Sequence, residues 1–378
     1  MMSQQYKDVK WNGEGSIKTW YGNFLGNDYL RNNYTALAPI VNGNYMQDPT
    51  SQYDVYPWYY YYKLISNANP IILHTDAASG DLQDKQLLKA QALTYRAYSY
   101  MMLVQFYAKR WSDSGNGASS GVALRLDEGK GDLPLSTLAQ CYEQIYKDLD
   151  QAIDLFQKSG KQRATKGDCY LPSLNAAYAV YARAALNRED WENARKYAQL
   201  AREGYPLMSN EEYKDDGFNT ANPEWIWSVY SDEQESIYYY QFFASEGSNT
   251  NYSSYLNRAA GISKELYKQI PASDIRREMF LDPKSDAYTA SNNYGGAALK
   301  ARAFTEYGVA AVVEMAGCNG RRVPATQRVL SEVWRILLIH HDVVQLDVGQ
   351  VRHDFLAAAV GHLDAAVDVV GGLVAGEV

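Results

Sequence analysis

The spacing of apolar and polar positions changes several times along the chain. Residues 1–56 mix Gly, Asn, Tyr and Trp with little periodicity and read as loops and short helices over a surface. From Trp58 the spacing becomes three and four residues, through Trp58, Tyr62, Ile65 and Ala68/Asn69, which predicts a helix with Pro70 near the end of the segment. The next run is the clearest. Leu87 to Tyr107 is nearly all apolar or aromatic, with a stripe of Leu88, Ala92, Tyr95, Ser99, Met102 and Phe106, and either Asp81 or Asp84 can cap it. Apolar residues on its other faces predict burial on several sides. Arg96, in the middle of this run, then needs acceptors, expected on a neighbouring element.

Gly, Ser and Asp dominate residues 112–136, which read as a loop. Thr137-x-x-Gln140 is a capping box that opens a third helix, with the stripe Leu138, Cys141, Tyr142, Ile145, Leu149, Ala152, Ile153 and Phe156 and a stop at Gly160. Residues 173–203 form a predicted helical hairpin. Leu174, Ala177, Tyr178, Tyr181 and Ala185 share one face, Asn187 to Asp190 make the turn, and Trp191, Ala194, Ala198 and Ala201 make a small-residue seam. Tyr178, Ala182, Ala194, Ala198, Ala201 and Pro206 stand at the spacing of a tetratricopeptide unit. One such unit cannot bury its own face, so further helical pairs must stack on it.

Beyond residue 211 the repetition stops. Asn222-Pro223-Glu224-Trp225-Ile226-Trp227-Ser228-Val229 reads as a short strand or extended segment, and 238–243 and 249–255 are aromatic and polar with Gly and Ser between. Residues 308–378 change again: Val and Ala dominate, no Tyr follows Tyr307 and no Lys follows Lys300. The expected organisation is a mainly α domain over 1–300, followed by an atypical tail at 301–378 that reads as frameshifted or chimeric. Within the domain, loops at 1–56 precede a tetratricopeptide-like scaffold at 57–205 and a loop-rich, non-repetitive insertion at 206–300.

Composition narrows the function. The 33 Tyr are unusual; with 8 Trp and 9 Phe they bring the aromatic share to 13%. A Tyr ring can pack in a core or stack on the apolar face of a sugar, while its hydroxyl bonds water or a rim group. Most of these rings are expected to fill gaps between helices. A net charge of −8 argues against nucleic acid and anionic membrane surfaces as partners. Cys141, Cys169 and Cys318 form neither a disulfide framework nor a zinc spacing. No run of apolar residues is long enough to cross a bilayer, and the first residues, Met1 to Tyr6, lack the character of a signal peptide.

Six of these segments, taken in order over roughly residues 53–283, resemble the SusD/RagB family of nutrient-binding outer-membrane lipoproteins. They are YDVYPWYYYYKLISNAN at 53–69, LLKAQALTYRAYSYMMLVQFY at 87–107, and the Tyr142, Ile145, Asp148, Leu149 set within 133–156. The hairpin at 173–203, NPEWIWSV at 222–229 and Ser273-Asp274-Ile275-Arg276-Arg277 complete the series. Gln91 stands where the family has Glu, which would reduce any pairing with Arg96 to a hydrogen bond from a neutral acceptor. The family's later helices have no counterpart in 300–378, and its lipid-bearing Cys is not found near the start. The resemblance implies surface capture of oligosaccharides, or of peptides in some members. It also implies delivery to a TonB-dependent transporter of the SusC type, anchorage at the outer membrane by lipid, and no catalysis.

The residues themselves offer no strong catalytic motif. Gly115-Asn116-Gly117 followed by Gly121 misses the dinucleotide fingerprint and opens no helix. Asp215-Asp216 and the Asp232, Glu233, Glu235 group read as solvated loops. The spacing of His340, His341, Asp342, His353, Asp354, His362 and Asp364 in the tail matches no standard zinc site. No cofactor or metal is expected. Trp58, Trp191, Trp225 and Trp227 are assigned structural roles. A glycan site needs exposed rings beside amides and carboxylates, and two segments supply them. Asp28, Tyr29, Asn44, Tyr45 and Tyr53 come from the first, and Tyr238, Tyr239, Asn251 and Tyr252 from the second. A tetratricopeptide interaction scaffold and a glycosidase with two converging carboxylates are the rival readings.

Overall fold

In the computed structural model, residues 13–18, 21, 29–30, 50–161, 169–214, 222–228, 261–279 and 296–298 are described. The tail at 301–378 and both acidic groups lie outside them. The scaffold is mainly helical. Its five long helices are α2 (Gln52–His74), α3 (Leu82–Tyr107), α4 (Leu138–Ser159), α5 (Leu174–Asn187) and α6 (Trp191–Arg202). A short helix α1 (Gly13–Lys18) precedes them, and α7 (Asn210–Lys214) and α8 (Lys264–Gln269) follow. Strands β1 (Tyr29–Leu30), β2 (Gly261–Ser263) and β3 (Gly296–Ala298) form a small antiparallel sheet in that order. Among the described residues no helix is long and apolar enough to cross a membrane.

Local chemistry sets the helix ends. Asp81 caps α3, its carboxylate accepting from the N–H groups of Gln83 and Asp84. The Thr137–Gln140 box closes as the sequence predicts: Thr137 Oγ1 accepts from Gln140 N–H at 3.2 Å, and Gln140 Oε1 accepts from Thr137 N–H at 2.9 Å. Gly160 ends α4 in the left-handed conformation, at φ 62°. Ser173 and Asp190 cap α5 and α6.

Successive helices pack on one another, and all five long helices contribute to the larger of two core clusters among the described residues. From α2 it takes Tyr56, Tyr60, Tyr61, Leu64 and Ile65; from α3, Tyr98, Tyr100, Met101 and Leu103; from α4, Cys141, Ile145 and Leu149. α3 is buried on several faces, as its sequence predicts. On α2 the expected stripe is buried at Ile65, Ala68 and Asn69, while Trp58 and Tyr62 are partly buried and Tyr56, Tyr60 and Tyr61 fill the core beside them. That helix also begins at Gln52 and runs through Pro70 to His74, a turn beyond the expected stop.

Tyr rings bind the next layer. Tyr181 stacks on Tyr197 with centroids 3.9 Å apart and on Tyr146 at 4.7 Å, joining α4, α5 and α6. Here two expectations need correction. The α6 seam is centred on Tyr197 and Ala201, with Ala194 and Ala198 only partly buried beside them. Trp191, assigned a structural role, is 63% exposed at the first position of α6.

Arg96 finds its acceptors on the neighbouring helices, as the sequence predicts. Gln91 is not its acceptor; Arg96 forms a buried ion pair with Asp148 of α4, and its Nη1 donates to Asn69 Oδ1 at 3.0 Å. Asn69 Nδ2 in turn donates to the carbonyls of Arg125 and Asp127, at 3.0 and 2.8 Å. Tyr62 and Tyr100 hydroxyls donate to the carbonyls of Ala123 and Arg125, at 2.6 and 2.8 Å. The segment between α3 and α4 therefore lies on the scaffold through its backbone carbonyls.

Candidate functional site

Most of the ring and amide positions expected to touch a ligand fall in two stretches far apart in sequence. Asp28, Asn44, Tyr45, Tyr238, Tyr239, Asn251 and Tyr252 lie outside the described residues. Tyr29 forms β1, and Tyr53 stands in the first turn of α2. The structure describes the points where both stretches leave and rejoin the scaffold.

β1 and β2 connect the two. Tyr29 pairs with Ile262 and Leu30 with Gly261, antiparallel. The chain leaves β1 after Leu30 and enters β2 before Gly261, so these two connections lie at the same end of the strand pair. Residues 31–50 and the stretch ending at 260 thus start from adjoining backbone. Nothing in the sequence announces this pairing, because strands of two and three residues are too short to show alternation.

The remaining anchors meet the aromatic face of α2 and α3. Ahead of β1, α1 places Glu14 and Lys18 in the interior. Glu14 Oε1 accepts from the hydroxyl of Tyr61 at 3.0 Å and from that of Tyr98, and it pairs with Lys18 Nζ at 3.4 Å. Lys18 also lies 5.7 Å from the centre of the Tyr98 ring. Burial lowers the Lys18 ammonium to about 7, against the pull of Glu14 and with added repulsion from Arg183. Burial, reinforced by the Glu14 carboxylate, pushes the Tyr61 and Tyr98 hydroxyls well above the usual range, so both stay protonated and able to donate.

Tyr21 follows, its ring edge-on to Phe106 with centroids 5.8 Å apart. At the far end of this first stretch, the hydroxyl of Tyr107 reaches α2, donating to Asp54 C=O at 2.6 Å and accepting from Trp58 N–H at 2.9 Å. Tyr21 and the first turns of α2 are therefore held by adjacent residues of α3, Phe106 and Tyr107.

The second stretch starts at Trp227. Its ring packs edge-on against Tyr95 and Tyr98, at 5.4 Å from each. The sequence predicts a short strand or extended segment here; residues 222–225 instead close a turn, Trp225 N–H donating to the Asn222 carbonyl at 3.1 Å. Pro223 has no N–H to offer a ladder, and the Asn222 side chain accepts from Glu224 N–H at 3.0 Å. Ser228 N–H donates to the Cys169 carbonyl at 2.8 Å, which anchors the segment. Trp225 is buried and Trp227 partly so, in line with their structural assignment.

The Asp274-Ile275-Arg276-Arg277 motif builds the far side of β2. Asp274 Oδ1 accepts from Arg276 N–H at 2.9 Å, opening the 3-10 turn Ile275–Met279, and its carboxylate also holds the Arg276 guanidinium. Hydrogen bonds from Arg276 keep the Asp274 carboxyl below the usual range. Arg277 donates to the carbonyls of Tyr267 and Ile270 at the end of α8, and its guanidinium lies 4.3 Å from the Tyr267 ring centre. The motif thus ties the 3-10 turn to the end of α8. No group of three or more His, Cys, Asp or Glu among the described residues is placed to hold a metal ion.

Comparison with known proteins agrees with this architecture. Residues 7–186 match a SusD-like family model described as "Starch-binding associating with outer membrane". A SusD-like carbohydrate-binding protein from Bacteroides vulgatus superposes with a TM-score of 0.65 at 20% identity, over 90% of this chain and 77% of that one. A SusD superfamily protein from Bacteroides thetaiotaomicron gives 0.64 at 18% identity, over 88% and 82%. A structure solved with a xylogluco-oligosaccharide gives 0.53 at 19% identity, over 75% of this chain and 58% of that one. No curated protein matches the chain in sequence. Residues 7–186 are thus similar in sequence to the SusD-like family, and the chain shares the fold of solved SusD superfamily proteins.

Proposed function

We propose that this protein captures oligosaccharides on the two aromatic stretches rooted at the β1–β2 pair, and performs no bond cleavage. The observation that carries the reading is the pairing of Tyr29 with Ile262, which gives the two stretches a common origin. Asp28, Tyr29, Asn44, Tyr45 and Tyr53 would supply rings and rim acceptors from one side, and Tyr238, Tyr239, Asn251 and Tyr252 from the other. Stacking on ring faces with hydrogen bonds at the rim suits neutral sugars and gives weak to moderate affinity. The SusD-like family and its oligosaccharide-bound structural neighbour support the ligand class.

On the same reading the protein works at the outer membrane, held at the cell surface by a lipid anchor. There it would pass its cargo to a SusC-like TonB-dependent transporter. The family's description as outer-membrane associated supports the place. The test is affinity electrophoresis and calorimetry against soluble polysaccharides, starch and xyloglucan among them, with assay for new reducing ends. Retardation by at least one glycan, weakened by Tyr45→Ala and Tyr252→Ala, is the expected result. Binding of peptides and of no glycan would replace it with peptide capture. Release of reducing ends would make the protein an enzyme.

A further inference from the structure

Among its described side chains, α1 meets the scaffold through Ile17, wholly buried in the core, and through the charged pair Glu14 and Lys18. A buried ion pair is an uncommon fastening for a helix of six residues. Each ion gives up its water on docking and regains only what its new neighbours supply. The Glu14 carboxylate accepts from the Tyr61 and Tyr98 hydroxyls. The Lys18 ammonium feels opposing influences: Glu14 at 3.4 Å draws it in, while burial and the like charge of Arg183 on α5 act against it. The other ionisable groups around the pair are the phenols of Tyr60 and Tyr61 on α2 and of Tyr95 and Tyr98 on α3.

The cluster reaches beyond α1. Lys18 Nζ lies 5.7 Å from the centre of the Tyr98 ring, and Trp227 of the 222–228 turn packs edge-on against the same ring at 5.4 Å. Lifting α1 away uncovers a ring on which that turn also rests. We propose that the Glu14–Lys18 pair and the Tyr98 ring form a pH-responsive latch, which fastens α1 and the 222–228 turn to the helices more firmly as the pH rises above neutral. The latch involves no ligand and stands independently of oligosaccharide capture.

With α1 docked, burial brings Lys18 down to about 7; undocked and in water it returns to its ordinary 10.5. Across that window the undocked arm holds more protons. Docking therefore strengthens with pH, by at most about tenfold per pH unit, and levels off below the window. Tyr61 and Tyr98 act the other way only above their ordinary 10.0, where the undocked hydroxyls ionise first.

Amide exchange in the full chain, corrected for the intrinsic rate at each pH, tests the latch. Protection at 13–18 and 222–228 should rise together from about pH 7 to about pH 9, by up to about a hundredfold, while staying below that of the buried residues 97–104. Lys18→Met should flatten the dependence at both segments. Glu14→Gln removes the carboxylate that favours the ammonium, so protection should go on falling below about pH 7, where the wild type is level. A flat wild-type profile overturns the latch, as does a slope that survives Lys18→Met. Equal protection at 13–18 and 97–104 would overturn it too, since α1 would then open only with the whole fold. A slope at 13–18 with none at 222–228 would overturn the shared fastening through Tyr98.

Discussion

Arg96 grips Asp148 through two parallel hydrogen bonds, Nε to Oδ2 at 2.8 Å and Nη2 to Oδ1 at 2.7 Å, inside the contact between α3 and α4. Gln144 adds a third bond to the same carboxylate, at 2.7 Å. Both charged side chains are almost wholly buried, so each depends on the other for solvation. Asp148→Ala leaves a buried, unpaired guanidinium and should cost about 3–5 kcal/mol in chemical denaturation. Arg96→Met with Asp148→Leu should recover most of that loss, which a plain count of lost hydrogen bonds would not predict.

Lys18 gives the fold a pH dependence of known sign. Burial lowers its pKa from the ordinary 10.5 to about 7. Between those values the unfolded chain binds more protons than the native one, so stability rises with pH across that window and is flat below it. The slope is at most about tenfold in the folding equilibrium per pH unit. Lys18→Met should remove this component, read as the difference between wild-type and variant denaturation curves from pH 7 to pH 10.

Gly117 lies under the Trp111 ring at φ +81°, and a Cβ there would come within 2.7 Å of both Trp111 and Ala139. Gly117→Ala should destabilise by about 1–3 kcal/mol through strain at a left-handed position, before the steric cost is added. Gly115, also at positive φ but with open space around its Cβ position, is the control for conformation without contact. The midpoints of the two Ala variants in urea measure the difference.

Trp191 makes the opposite case. At 63% exposure it buries little surface, and Trp191→Ala should change stability by no more than about 0.5 kcal/mol. A loss of several kcal/mol in denaturation would show that the residue is covered in solution.

The scaffold was largely legible in the sequence, and the reasons are physical. A capping box and an apolar stripe are local signals, so Thr137, Gln140 and the α4 face from Leu138 to Phe156 could be read directly. Arg96 announced a need for acceptors, but its partner lies 52 residues away, and sequence spacing cannot choose between Gln91 and Asp148. The burial of Tyr60 and Tyr61 in α2 was hidden because consecutive Tyr residues from Tyr59 to Tyr62 fit any face. The prediction for Trp191 failed because its periodic position alone does not reveal whether the opposing helix reaches it. At the candidate site, residue types pointed to rings beside amides, while their common root depends on a pairing of Tyr29 with Ile262 that no local pattern encodes.

Tyr98 is touched from several directions: by Glu14 of α1, by Tyr61 of α2 and by Trp227 ahead of the second stretch. Elements that share one buried contact do not open independently, since freeing either exposes surface the other was covering. The N-terminal arm and the 222–228 turn should thus behave as one cooperative unit in native-state exchange. A substitution that loosens either one should therefore loosen the other, so that the two open in a single event rather than in two.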